Sequence, residues 1–269
     1  MNRWSEILGA VAAVPGDEQL FRVTVTEDWL QGRTLYGGIV AALGLRSMEL
    51  AFRDLPAVRS VETVFMSPLP PGELSIRVAL LRRGRHVAFV EATVAGGAGP
   101  ATRLTAVFGG ARPSAIVVPP LPRTPSRPLD EAFPIPFLEG ITPAFTRHFD
   151  SRLSEGGFPF SGSTDAATGG YLRYLHDPGC DAAALLGLLD AFPAPILPVA
   201  TAPFMASTVR WSVHFFAAPA PPADGWWWFR ADAVAAADGY ATSVGTLQSS
   251  GEVVAWAEQL VAVFDQPSS

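Results

Sequence analysis

The stretch YGGIVAALGLRSMELAF, Tyr36–Phe52, has the apolar spacing of a helix, and two glycines follow its first residue. The segments after it alternate apolar and polar residues and are separated by turn sequences, among them PLPPGE at 68–73 and RRGR at 82–85. This order predicts one helix followed by a meander of antiparallel strands. Such a helix buries its apolar face when a strongly curved sheet wraps around it, so the sequence predicts the α+β class.

The second half of the chain repeats this order. The segment DAAALLGLLDAF at 181–192 is again helical in pattern, and TVRWSVHFF at 208–216 alternates like a strand. Turn sequences at 238–239 and 249–252 then separate further strands. Both halves end on the triplet Ala-Val-Phe, at 106–108 and at 262–264. The chain therefore reads as two copies of one unit.

A proline-rich segment separates the two copies. Residues 112–136 read RPSAIVVPPLPRTPSRPLDEAFPIP, with dense proline and no apolar period. This composition is typical of an extended, stiff linker. We expect an N-terminal domain over 1–112, a linker over 113–136 and a C-terminal domain over 137–269.

Composition excludes several classes of function. The net charge of -6 argues against nucleic acid as a partner. All 19 basic residues are arginines, which removes Schiff-base chemistry and the phosphate-loop lysine.

The single cysteine, Cys180, allows no disulfide within the chain and suits a reducing cytoplasm. The apolar run near the N-terminus is too short for a signal peptide or a membrane span, so we expect a cytoplasmic protein with no membrane partner. The four histidines show no metal-ligand spacing, so we expect no metal.

The residues GRTLYGGIVAAL at 32–43 resemble the start of the central helix in the hotdog fold. Two linked copies with a proline-rich connector resemble the double-hotdog acyl-CoA thioesterase II family, from about Phe21 to Phe264. The resemblance implies a tandem hotdog in which a curved antiparallel sheet wraps a long central helix in each half. It also implies hydrolysis of an acyl-CoA thioester without a cofactor, by a homo-oligomer that is a dimer or larger.

Asp190 is the only charge in LLGLLDAFPAPILP, residues 185–198. Burying an unpaired ionised acid is costly, so such a carboxylate is paired, protonated or used in chemistry. The resemblance implies that Asp190, Thr208 and Gln259 together hold the attacking water. No Asp or Glu occurs between Tyr36 and Ser47 in the first helix, so we expect one such site per chain.

Two of these candidates also have structural interpretations. Gln259 has small or apolar neighbours at alternate positions of its strand, and a buried carboxamide there needs hydrogen-bond partners whatever its role. Strict alternation places Thr208 on the face opposite to Trp211, unless a bulge turns it.

Tyr36, Gly37, Gly38 and Ile39 are the expected substrate-binding residues. Free amides at a helix N-terminus suit a carbonyl or an oxyanion, and the amide of Gly38 or Ile39 is the better candidate. The alternative is that the glycines are needed for close packing of the helix start against the sheet. Members of the resembled family often have Gln where this chain has Ile39.

Two other functions remain open from the sequence. A hotdog hydratase or dehydratase needs a His beside an acid, and His214 follows Asp190 on the next strand. The other function is binding of acyl thioesters without catalysis. The cluster LRRGRH, Leu81–His86, is either a solvated hairpin tip or a contact for coenzyme A phosphates.

Overall fold

A computed structural model describes residues 2–176, 178–216 and 220–264. The helices are α1 (Trp4–Gly9), α2 (Gly37–Ala51) and α3 (Ala182–Leu189). The strands of the first half are β1 (Ala12–Val14), β2 (Asp17–Val25), β3 (Leu30–Gln31), β4 (Thr34–Leu35), β5 (Val58–Phe65), β6 (Gly72–Arg83), β7 (Val87–Gly96) and β8 (Gly99–Gly109). The strands of the second half are β9 (Phe133–Pro134), β10 (Phe149–Gly156), β11 (Ala167–Tyr174), β12 (Met205–Phe215), β13 (Trp227–Ala237), β14 (Tyr240–Ser249) and β15 (Glu252–Phe264).

One antiparallel sheet runs through both halves. Within the described residues it has 13 strands in the order β1-β2-β6-β7-β8-β5-β12-β15-β14-β13-β11-β10-β9, while β3 and β4 form a separate pair. The halves join where β5 pairs with β12, with Val61 opposite Val213. The continuous sheet therefore places the last strand of the second half, β15, one strand away from the junction.

The two central helices pack against this sheet and against each other. Helix α2 contacts β2, β6, β7 and β8, helix α3 contacts β13 and β14, and α2 and α3 touch directly. A side chain at Gly44 would place its Cβ 2.7 Å from the Leu104 side chain, so this glycine permits close approach of α2 to β8. The prediction of an α+β unit in each half is confirmed.

The two helices differ in length. Helix α2 has 15 residues, whereas α3 has 8 and ends at its C-cap, Asp190. The shorter length follows from the sequence after Asp190, where Pro193 and Pro195 cannot continue a helix. The carboxylate therefore lies at a helix end rather than within a long helix.

Part of the proline-rich segment is anchored to the second half by hydrogen bonds. The backbone N–H of Ser126 donates to Glu155, which is almost fully buried, at 2.6 Å. Gln248 accepts from the Arg123 backbone at 2.6 Å and donates back to it at 2.9 Å. No helix in the described part of the chain is long and apolar enough to cross a membrane.

Candidate active site

Donors from both halves of the chain hold the carboxylate of Asp190. The backbone N–H of Gly38, in the first turn of α2, donates to Oδ2 at 2.8 Å. The side-chain Nε2 of Gln259, on β15, donates to Oδ1 at 3.0 Å. The start of α2 and the end of α3 thus meet at one carboxylate, and two residues far apart in the sequence are brought together around it.

The environment of Asp190 changes its acidity. Burial raises the pKa of Asp190 to about 7, and the hydrogen bonds from Gly38 and Gln259 act in the opposite direction by stabilising the charged form. Among the described residues, no Arg or His lies within ion-pair distance of Asp190. A carboxyl group with this pKa is partly ionised near neutral pH, which suits it to accept a proton in a reaction.

The two glycines are both required for this geometry. A Cβ at Gly37 would lie 2.8 Å from Oδ2 of Asp190 and 3.1 Å from Cζ of Phe65. A Cβ at Gly38 would lie 2.7 Å from the ring of Tyr36. Close packing and the approach of the carboxylate to the backbone therefore require glycine at the same two positions.

The side chains of Tyr36 and Ile39 are fully buried. The Tyr36 hydroxyl donates to the carbonyl oxygen of Gly187 in α3. Burial raises the pKa of Tyr36 well above its ordinary value, so this hydroxyl stays protonated and remains a donor. Neither side chain is therefore exposed to a substrate.

The expected oxyanion donors are placed differently from one another. The Gly38 amide is already bonded to Asp190. Helix geometry leaves the Ile39 amide without an intrahelical acceptor, because the first regular bond of α2 runs from the amide of Val40 to the carbonyl of Tyr36 at 3.3 Å.

A β-bulge determines where Thr208 points. Thr208 lies opposite Val261 and Trp211 lies opposite Gln259, with one extra residue, Val209, between Thr208 and Arg210. Residues directly opposite each other share a face, and Gln259 and Val261 are two apart on one strand. Thr208 therefore shares the face of Gln259 and Trp211, which strict alternation would not give. Within the described residues no hydrogen bond joins Thr208 to Asp190 or Gln259.

The histidine needed for the hydratase alternative lies elsewhere. His214 is exposed and packs against Trp256, on the face of β12 opposite to Trp211 and hence opposite to Gln259. His148 is buried beside Asp28, with its Nε2 3.0 Å from Oδ2, and its ring is stacked on Trp29. In the described ranges, no group of three His, Cys, Asp or Glu residues could hold a metal ion.

Phe65, which the sequence suggests as either a lining residue of an acyl-chain pocket or plain core, ends β5 beside Gly37. The sequence analysis missed one contact in this region. The bond from Tyr36 to Gly187 spans 151 residues of sequence, and only the pairing of α2 with α3 reveals it.

Comparisons with known proteins agree with this architecture. The acyl-CoA thioesterase C-terminal domain matches residues 119–263 and the acyl-CoA thioesterase N-terminal domain matches residues 25–109. The chain therefore belongs to the acyl-CoA thioesterase family, and its enzyme class is that of a thioester hydrolase. No curated protein sequence matches the chain.

Solved structures confirm the double hotdog. A conserved protein with a hotdog fold from Alicyclobacillus acidocaldarius is 23% identical, with a TM-score of 0.83 over 99% of this chain and 100% of that one. A putative thioesterase II from Thermobifida fusca is 23% identical, with a TM-score of 0.81 over 97% of this chain and 98% of that one. An acyl-CoA thioesterase II from Mycobacterium marinum is 18% identical, with a TM-score of 0.75 over 98% of this chain and 99% of that one. At these identities the likeness establishes the fold.

Proposed function

We propose that the protein hydrolyses acyl-CoA with a water molecule that Asp190 activates as general base. The observation that carries the proposal is the pair of hydrogen bonds from Gly38 and Gln259 to Asp190, whose burial raises its pKa to about 7. A base is most effective when its pKa lies near the working pH, and positioned general bases contribute roughly 10²- to 10⁴-fold to the rate.

The carboxylate has acceptor positions left for a water. An ionised carboxylate offers about four acceptor positions, and the Gly38 and Gln259 donors use one on each oxygen. A water can therefore donate to Asp190 while both protein donors stay in place. The carboxamide oxygen of Gln259 and the hydroxyl of Thr208, on the same sheet face, are the groups that would orient this water.

The reaction follows from these roles. The water oxygen attacks the thioester carbonyl carbon while its proton passes to Asp190, and the carbonyl oxygen becomes an oxyanion. The intermediate then collapses, the carbon–sulfur bond breaks, and the CoA thiolate takes the proton from Asp190. Acyl-CoA and water become free acid and CoA, so atoms and charges balance.

The start of α2 is the proposed site for the oxyanion, through the backbone of Gly37, Gly38 and Ile39. The Tyr36 amide is not a donor here, because it bonds the carbonyl oxygen of Trp29 at 2.9 Å. The positive end of the helix dipole favours negative charge there. When Asp190 accepts a proton, its charge is transferred to the oxyanion, and the Gly38 amide can then donate to the oxyanion instead. The Ile39 amide, which has no intrahelical acceptor, is the second proposed donor in this turn.

The test compares Asp190→Asn with Asp181→Asn in an assay of thiol release from acyl-CoA of several chain lengths. Asp181 caps α3 by accepting from the Ala184 amide at 2.8 Å, and Asn is an equally good capping residue. We expect Asp190→Asn to lose roughly 10²- to 10⁴-fold in kcat and Asp181→Asn to stay within about twofold. Equal activity of Asp190→Asn and the unaltered protein would exclude Asp190 as the base. Binding of acyl-CoA without turnover by the unaltered protein would instead favour a non-catalytic role.

A further inference from the structure

We infer that Tyr36 is a positioning residue that fixes the end of α3 on the start of α2 and so holds the Asp190 carboxylate on the Gly38 amide. This inference rests on the proposed function of Asp190. It assigns the Tyr36 side chain a role different from contact with substrate, which its complete burial prevents.

The hydroxyl of Tyr36 satisfies a carbonyl at a helix end. Gly187 lies three residues before Asp190, and its carbonyl oxygen accepts from this hydroxyl. The last four carbonyls of a helix have no regular intrahelical donor, and here the Ala191 amide bonds to Leu188 rather than to Gly187. Tyr36 thus caps the end of α3 from the other half of the chain.

The backbone of Tyr36 begins the opposite helix. Tyr36 is the N-cap residue of α2, and its carbonyl accepts the first regular bond of that helix, from Val40 at 3.3 Å. The amide that binds Asp190 belongs to Gly38, two residues further on. Tyr36 therefore connects the two helix ends at a second point beside the Gly38–Asp190 bond.

The aromatic ring of Tyr36 packs against Phe145 and Gly38. Phe145 stacks on it with ring centroids 4.0 Å apart and planes 5° apart. The position of a Cβ on Gly38 falls 2.7 Å from Cε1 and Cζ of the Tyr36 ring, so the ring lies directly against that residue. Loss of the bond to Gly187 would therefore disturb one of the two regions that hold the Asp190 carboxylate.

The test is Tyr36→Phe, with Tyr174→Phe as the matched control. Tyr174 is a half-buried tyrosine that also donates to a carbonyl of α3, that of Ala184 at 2.8 Å. This carbonyl lies six residues before Asp190. Both variants lose one hydroxyl and one hydrogen bond to the same helix. A general effect on stability should lower Tm similarly in both.

We expect Tyr36→Phe to lower kcat by about 10-fold with KM within about twofold, because small misplacement of a catalytic group is costly. The midpoint of its pH–rate profile should move upward, since a weakened Gly38 bond stabilises the ionised carboxylate less. Tyr174→Phe should show neither change. An NMR titration of the Asp190 side-chain carboxyl carbon compares the two variants without an activity assay. We expect the pKa of Asp190 to rise in Tyr36→Phe alone.

The titration separates the two possible failures. If Asp190→Asn retains activity, the proposed function fails, and the Asp190 titration in Tyr36→Phe still decides whether Tyr36 positions the carboxylate. An unchanged titration in folded Tyr36→Phe, or the same shift in Tyr174→Phe, overturns the inference. Should Tyr36→Phe not fold, Phe145→Leu decides, because loss of the stacked ring loosens the Tyr36 side chain and with it the bond to Gly187. An upward shift then supports the inference, and an unchanged titration overturns it.

Discussion

The pair of central helices has two ends, and they are built differently. At one end the N-terminus of α2 has no side-chain cap of its own, and the Gly38 amide binds Asp190 from the other helix. At the other end the N-terminus of α3 is capped by its own Asp181, which accepts from the Ala184 amide. The nearby acid there, Glu49 of α2, has its pKa raised by burial and further by the charge of Asp181.

This difference shows how a duplicated fold produces one site. A helix that caps itself uses its amide locally, so a carboxylate from the partner helix is repelled by the cap rather than bound. A helix that begins with glycines and no cap leaves an amide and the positive end of its dipole for a carboxylate from outside. Only the uncapped end of the helix pair contains the candidate catalytic acid.

Among the substitutions of residues around Asp190, Gly37→Ala should lower the activity most. The added Cβ would lie 2.8 Å from Oδ2 of Asp190, and the carboxylate must move because it is the flexible partner. We expect a loss of roughly 100-fold in kcat/KM, measured by thiol release. Gly9→Ala is the control, because its Cβ meets no heavy atom within 4 Å. Normal turnover by Gly37→Ala would mean that the close approach of Asp190 to α2 is not needed.

A smaller effect is expected from Gln259→Leu, which removes the donor to Oδ1 of Asp190. We expect a loss of about 10-fold or more in kcat and an upward shift of the pH–rate midpoint, because the lost bond stabilised the charged carboxylate. Gln248→Leu is the matched control. This carboxamide lies on the neighbouring strand β14 and bonds the Arg123 backbone. It should affect stability and leave the pH profile unchanged, and a similar profile for both variants would contradict the assignment.

Fold and site were predictable from the sequence to different degrees. The two helix patterns, the turn sequences and the repeated Ala-Val-Phe endings predict the duplicated α+β fold, because amphipathic period and turn chemistry are local properties. Asp190 stands out because a charge in an apolar run is anomalous on physical grounds alone. The bulge at Val209 has no such local signal, since strand alternation continues through it in the sequence.

Long-range pairing accounts for the rest. The pairing of β5 with β12 joins both halves into one sheet. The alternation of residues within one strand does not show which other strand its edge will pair with. Glu155 and Gln248 are buried polar residues whose partners lie in the proline-rich segment, so their role appears only once that segment is placed. Tyr36 is indistinguishable by sequence from a residue that contacts substrate.

The smallest effect should come from Thr208→Val, which keeps the shape of the side chain and removes its hydroxyl. Thr208 helps orient the water in the proposed reaction without bonding to Asp190, so we expect a loss of a few-fold to about 10-fold in kcat. Ser207→Ala, on the opposite face of β12, should stay within about twofold of the unaltered protein. Equal losses in the two variants would show that the bulge does not direct Thr208 to the site.

The acidity of Asp190 tests the central claim most directly. The measurement is the pKa of Asp190 from an NMR titration of its carboxyl carbon, set beside the pH dependence of kcat/KM for acyl-CoA hydrolysis. Asp190 must be ionised to accept a proton, so the rate should rise with pH and level off above the pKa of about 7, with both midpoints coinciding. Titration of Asp190 near 4, or a rate with no inflection at its measured pKa, would contradict the account.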